Sequence, residues 1–135
     1  PFRTYPLVND YEKFKKLVAE KNVDCYIINT GDFMGTKVKP ADTLGILETI
    51  VEGKAQFTQW GPFSDIQIMS DWSGKTADFT PNFADASYVE ALVSSMATRV
   101  KAVEDFATKK EGYDKLPDEA LDALKKLLEE AKNAK

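Results

Sequence analysis

Ser73-Gly74-Lys75-Thr76 has the residue order that closes a phosphate-binding loop, in which backbone N–H groups and a lysine cradle an anion. The complete motif needs a second glycine five positions before Gly74, and that place holds Met69. It also needs a helix immediately after, and "ADFTPNF", with Pro81, disfavours one. The tetrapeptide is therefore read as a surface turn. Asp65, Asp71, Asp78 and Asp85 could offer carboxylates, but their spacing matches no calcium loop, which needs regular oxygen ligands closed by a bidentate Glu. They are read as solvated loop acids and a helix cap. The chain has no histidine, which excludes a Ser-His-Asp or Cys-His mechanism within it and most zinc sites. Cys25 is the single cysteine, so no internal disulfide can form and a reducing, cytoplasmic setting fits. No catalytic residue and no metal-ligand set emerges from these patterns.

A different kind of chemistry is suggested by "IINTGDFMGTKVKPADT", residues 27–43. An apolar, β-rich run over 23–29 ends in Asn29-Thr30-Gly31, a glycine-bearing loop follows, and Pro40 and Asp42 mark a helix start. Ligands of α/β sheets bind at the carboxyl ends of strands, and helix N-termini favour anions. Lys37 and Lys39 would add positive charge there. An ordinary strand–loop–helix connection accounts for the same spacing, since a glycine-bearing loop is a weak signal by itself.

The elements that must position this stretch are legible from periodicity. Tyr11, Phe14, Leu17 and Val18 share one face of a helix expected over 10–21, with Asp10 as N-cap and Asn22 as stop. The nearly continuous apolar character of 23–29 predicts an interior strand. A second helix is expected over 40–52, with Leu44, Leu47 and Val51 facing the core and Gly53 taking the left-handed stop. "AQFTQW" and "DIQIM" predict short strands inside an irregular 54–81. A long helix over 85–108 and a last helix over 118–133 follow, the latter turning Leu121, Leu124, Leu128 and Ala131 inward. The expected fold class is a small mixed α/β domain with short strands: an amphipathic helix before the main strand, then a long helix plus a C-terminal helix at the end.

Bulk properties agree with one domain over residues 1–135, since 43% hydrophobic residues suffice for a core. A net charge of −4, with acids and bases mixed along the chain, argues against nucleic acid as a partner. No apolar stretch approaches the roughly 18 residues of a membrane span, and the first residues lack the layout of a signal peptide. The chain begins with Pro1 rather than Met, as a piece of a longer protein would.

The stretch "YIINTGDFMGTKVKPADTLGILETIVEG" resembles the C-terminal segment of ATP-dependent phosphoenolpyruvate carboxykinase. In that family a strand ending in Asn-Thr-Gly leads through a Gly-rich, basic loop into an Asp-Thr-bearing helix. An amphipathic helix precedes that strand, as "YEKFKKLVAEKNVD" does here. The resemblance is concentrated in residues 11–63. It implies that a basic residue and the aliphatic one after it lie against the adenosine of ATP, with the Thr of the Asp-Thr pair helping to hold it. Counting back from Asp42-Thr43 puts these nucleotide-binding roles on Lys37, Val38 and Thr43. The family has Arg where Lys37 stands, which removes planar stacking and fork-like hydrogen bonding. The loop is slightly shorter, and Asp32 replaces an aromatic.

The family's phosphate loop, metal-binding residues and phosphoenolpyruvate-binding arginines lie upstream of this segment. Arg3 and Arg99 are the only arginines here, and neither sits in a matching motif. The resemblance therefore implies a C-terminal fragment that supplies one wall of a nucleotide pocket and is inactive alone. ATP would be the cofactor, its divalent metal would be held by parent residues outside this chain, and the partners would be the rest of the parent chain and the nucleotide. The other reading is a non-catalytic α/β scaffold or interaction domain that has kept only the fold.

Overall fold

Pro6 adopts an extended backbone and opens the first helix, α1 (Leu7–Lys21), in the computed structural model, which describes residues 3–71, 79–109 and 113–134. The helix starts earlier than expected because Pro6, with its carbonyl accepting the Asn9 N–H at 3.1 Å, sets up the first turn itself. Asp10 thus lies within the first turn rather than at the cap, where its charge still complements the helix dipole. Asn22, at φ 49° and ψ 52°, ends the helix in the left-handed conformation that Asn tolerates.

The remaining elements follow as β1 (Asp32–Phe33), β2 (Thr36–Lys37), α2 (Pro40–Val51), β3 (Gln56–Gln59), β4 (Gln67–Asp71), α3 (Ala86–Lys109) and α4 (Asp118–Lys132). The fold class is mixed α/β, and the described strands form two antiparallel pairs, β1 with β2 and β3 with β4. The turn expected at Ser73–Thr76, and Asp78, lie outside the described residues. The chain divides into two compact units, one made of Pro1–Tyr26 with Ala91–Lys132 and the other mainly of Ile27–Glu90.

In the first unit, polar ties join segments far apart in sequence. The Leu7 N–H donates to the Tyr113 carbonyl at 3.0 Å. Arg3 pairs with buried Asp114, and Lys15 on α1 reaches Glu119 on α4 at 2.6 Å. Lys125 on α4 pairs with Glu104 on α3 at 3.1 Å. The expected inward stripe of α4 is present: Ala131 is fully buried, and Leu121, Leu124 and Leu128 are half-buried. Val100 of α3 is buried in this unit. On α1, Tyr11 and Val18 are half-buried while Phe14 and Leu17 are exposed.

The second unit is built on aromatic rings. Phe63 is wholly buried, with the Trp60 ring 4.7 Å away. Phe83 stands edge-on to Trp60 at 6.5 Å and to Tyr88 at 5.4 Å, and Phe33 lies 6.0 Å from Tyr88. Such tilted and edge-to-face pairs add stabilisation beyond the area they bury. Gly61, at φ 54°, lets the chain pass beneath Phe83; a Cβ there would meet the ring at 2.2 Å. Asp85 caps α3 by accepting from the Ser87 N–H at 2.8 Å.

The strand expected over 23–29 is not formed. That segment carries no strand pairing among the described residues, and Val23, Tyr26 and Ile27 are all exposed, Ile27 completely. A continuously apolar run specifies an interior strand only where neighbours flank it, and the described strands all pair locally within hairpins. The main strands are instead β3 and β4, in the two runs expected to be short strands, with Phe57 opposite Met69.

Candidate functional site

Asn29 shapes the loop that follows the exposed segment. Its Oδ1 accepts the Gly31 N–H at 2.9 Å, and its Nδ2 donates to the Asp32 carbonyl at 3.0 Å. This is the side-chain-mimicked turn that Asn favours. The chain then enters β1, turns through Met34 (φ 48°) and Gly35 (φ 82°), and returns as β2. Positive φ at both central residues is the two-residue turn whose twist matches a hairpin. Asp32 stands opposite Lys37, and the Val38 N–H extends the ladder to the Gly31 carbonyl at 2.9 Å.

Two residues on, α2 begins. Pro40 occupies its first position, where a missing N–H costs nothing. The Asp42 carboxylate accepts the Lys39 N–H at 2.8 Å. The Lys39 side chain has no acceptor to return the favour, so this cap works in one direction only. At the other end Gly53, at φ 69°, donates to the Ile50 carbonyl at 3.0 Å while Lys54 donates to that of Thr49 at 3.0 Å, which satisfies the last carbonyls.

The hairpin base and the helix start enclose an open concavity of about 410 Å³, lined by Thr30, Lys37, Val38, Pro40, Thr43 and Leu44. All three residues singled out from the sequence, Lys37, Val38 and Thr43, therefore lie on one surface. Val38 is buried, Thr43 is half-buried in the first turn of α2, and Lys37 is exposed with its Nζ 3.9 Å from Asp32 Oδ1. The wall is mostly apolar, from Val38, Pro40 and Leu44, and its side-chain polar groups are two hydroxyls and one ammonium. It can accept a flat apolar ring and offer a hydroxyl at its edge. Among the described residues its lining holds no carboxylate and no imidazole, the side chains that most often serve as general base.

Leu44 and Leu47 do not turn to a core, contrary to expectation. Leu44 is 65% exposed and lines the concavity, Leu47 is 41% exposed and Val51 85%. Thr43, Ile46 and Ile50 are half-buried instead. Apolar residues occupy two stripes of α2, so periodicity cannot choose between them. Sequence reasoning marked Asn29 and Thr30 only as a strand's ligand-facing end and gave neither a binding or turn-forming role. The Asn-x-Gly order before a hairpin is the signal that marks Asn29, while Thr30 is brought in only by the Gly31–Val38 hydrogen bond.

Three other groups considered from sequence, Arg3, Arg99 and Asp85, have structural partners. Arg3 pairs with Asp114, and Arg99 donates to the Ser95 carbonyl one turn earlier at 3.1 Å. Asp85 is a cap, its carboxyl held below the usual range by the Ser87 hydroxyl and N–H. No helix among the described residues is long and apolar enough to cross a membrane. Comparison with protein-family models, with curated proteins and with solved structures finds no match.

Proposed function

We propose that this chain supplies the nucleoside-facing wall of a nucleotide pocket in a larger ATP-dependent carboxykinase-like protein and has no turnover by itself. The observation that carries this reading is the convergence of Thr30, Lys37, Val38 and Thr43 on one apolar-floored concavity. Val38, Pro40 and Leu44 offer a base an apolar face, and the Thr43 hydroxyl offers one hydrogen bond. Phosphoryl transfer would draw on residues of the parent for phosphate positioning and for the divalent metal. Affinity in the isolated chain is weak, because half a pocket buries little of the ligand while ordering costs remain.

Amide chemical-shift titration of the chain with adenosine tests this. The amides of Val38, Lys39 and Thr43 shift together in a saturable way, and Thr43→Val weakens binding by about 0.5–1.5 kcal/mol through one lost hydrogen bond. Shifts scattered over the surface, or an unchanged affinity in Thr43→Val, would remove the concavity from the argument.

A second reading, a non-catalytic interaction domain, is favoured by the exposure of Ile27, Leu44 and Val51. A helix apolar on most of its circumference is typical of one buried inside a larger body. The parent sequence discriminates: a Gly-x-x-x-x-Gly-Lys-Thr motif upstream of Pro1 favours the enzyme, and a parent lacking one favours the interaction domain.

A further inference from the structure

Lys37, the lysine that lines the concavity, is faced by a carboxylate. Asp32 and Lys37 face each other in direct register across the β1–β2 hairpin, with Nζ and Oδ1 3.9 Å apart. Asp42 places its carboxylate on the Lys39 N–H at 2.8 Å, at the α2 N-terminus where an anion would otherwise be received. Pro40, in the first position of that helix, has no N–H to offer. The Lys37 ammonium is thus faced by a carboxylate, and the Asp42 carboxylate already occupies part of the helix start. The floor between them is Val38, Pro40 and Leu44.

We infer that Asp32 makes this wall indifferent to ligand charge: the concavity takes the nucleoside, and the phosphates of a nucleotide gain nothing from it. The inference rests on the nucleotide-wall reading and adds to it a determinant of specificity. Lys37 alone would attract phosphate. Asp32, directly across the hairpin, holds the opposite charge 3.9 Å from the Lys37 ammonium, so at phosphate distance the two fields largely offset. Both side chains are well exposed, so the effect is one of net field rather than of a strong bond, and salt screens it. The role is testable because removing either partner unbalances the wall in opposite directions.

Adenosine, AMP and metal-free ATP are titrated into the chain at low ionic strength, with amide shifts as the readout. The wild-type chain binds all three alike, within about twofold. Asp32→Asn shifts preference toward ATP over adenosine by at least about threefold, the size expected for a single phosphate charge some 7 Å from one uncompensated ammonium in water. Lys37→Ala shifts it by a similar factor the other way, and the double variant returns to parity. High salt erases both shifts in the ATP-to-adenosine ratio. ATP binding tenfold tighter than adenosine in the wild type, or an unchanged ratio in both single variants with native spectra, overturns the inference and leaves the nucleotide reading standing. Absence of saturable binding by every ligand overturns the nucleotide reading, and this inference with it.

Discussion

The two hairpins of the second unit share an antiparallel plan and are held in opposite ways. The β3–β4 hairpin is anchored by side chains: Trp60, directly after β3, packs with Phe63 and Phe83, and Phe57 faces Met69 across the ladder. The β1–β2 hairpin has two residues per strand and is held by its own neighbourhood, namely the Asn29 turn, the Gly31–Val38 hydrogen bond and one ring, Phe33, near Tyr88. The concavity sits on the second kind. Binding residues commonly lie on elements of low local stability beside a stiff scaffold, because such elements can adjust at small cost. The difference also separates two sources of specification: shape-complementary burial for one hairpin, local backbone chemistry for the other.

Breaking the anchored side gives the largest effect. Gly61 combines positive φ with contact beneath the Phe83 ring, where an added Cβ would come within 2.2 Å. Alanine there meets a left-handed backbone cost of about 1–2 kcal/mol and overpacking of about 1–3 kcal/mol. Gly61→Ala is expected to destabilise by about 2–5 kcal/mol, read from urea unfolding followed by tryptophan fluorescence. A cost below about 1 kcal/mol would mean that the aromatic cluster yields easily, and the contrast between the hairpins would collapse.

Sharpening the local side needs a smaller change. Met34 takes φ 48° in a turn that requires left-handed geometry, and it is half exposed, so little packing is at stake. Asn visits this region readily, and Asn-Gly is the favoured pair for such a turn. Met34→Asn is expected to stabilise β1–β2 by about 0.5–1 kcal/mol. Amide exchange reports it: protection rises at the Val38 N–H, which bonds Gly31, and stays level at the Trp60 N–H, which bonds the Ile66 carbonyl. Equal gains at both amides would show one cooperative block rather than two differently held hairpins.

These variants also mark what could be read in the sequence. Helix ends were legible at Asn22, Pro40 and Gly53 because each is a local backbone preference that no distant contact overrides. The β3 and β4 runs were legible because their partner is the adjacent run. The strand expected over 23–29 failed for the converse reason: apolar content calls for cover, and whether cover exists is not a property of the segment. The β1–β2 hairpin went unseen because Met34-Gly35 lacks the usual turn signature. Lys37, Val38 and Thr43 lie within seven consecutive positions, so a hairpin end running into a helix start brings them together at little cost. Thr30 is the less trivial member, since it depends on a backbone pairing that no residue type announces. The inward face of α2 was misassigned because Leu44–Leu47–Val51 and Ile46–Ile50 both satisfy a helical period.

The smallest expected effect lies where the aromatic cluster meets α3. Asp85 follows Phe83 by two residues and caps the helix that carries Tyr88. Its carboxyl is held below its ordinary value by the Ser87 hydroxyl and N–H, both of which donate to the ionised form. A carboxyl whose pKa falls on folding contributes stability that is complete above its unfolded pKa, about 3.9, and is lost as pH drops through the folded value. Acidification from about pH 5 to below about pH 4 should therefore loosen the first turn of α3, seen as faster exchange and a titrating shift at the Ser87 amide. Asp85→Asn keeps a good capping side chain without a titrating group, so its first turn should behave alike across that range. If acid loosens this turn equally in both proteins, the proton acts elsewhere. The anchored hairpin would then owe nothing to the cap, and its stability would rest on the rings alone.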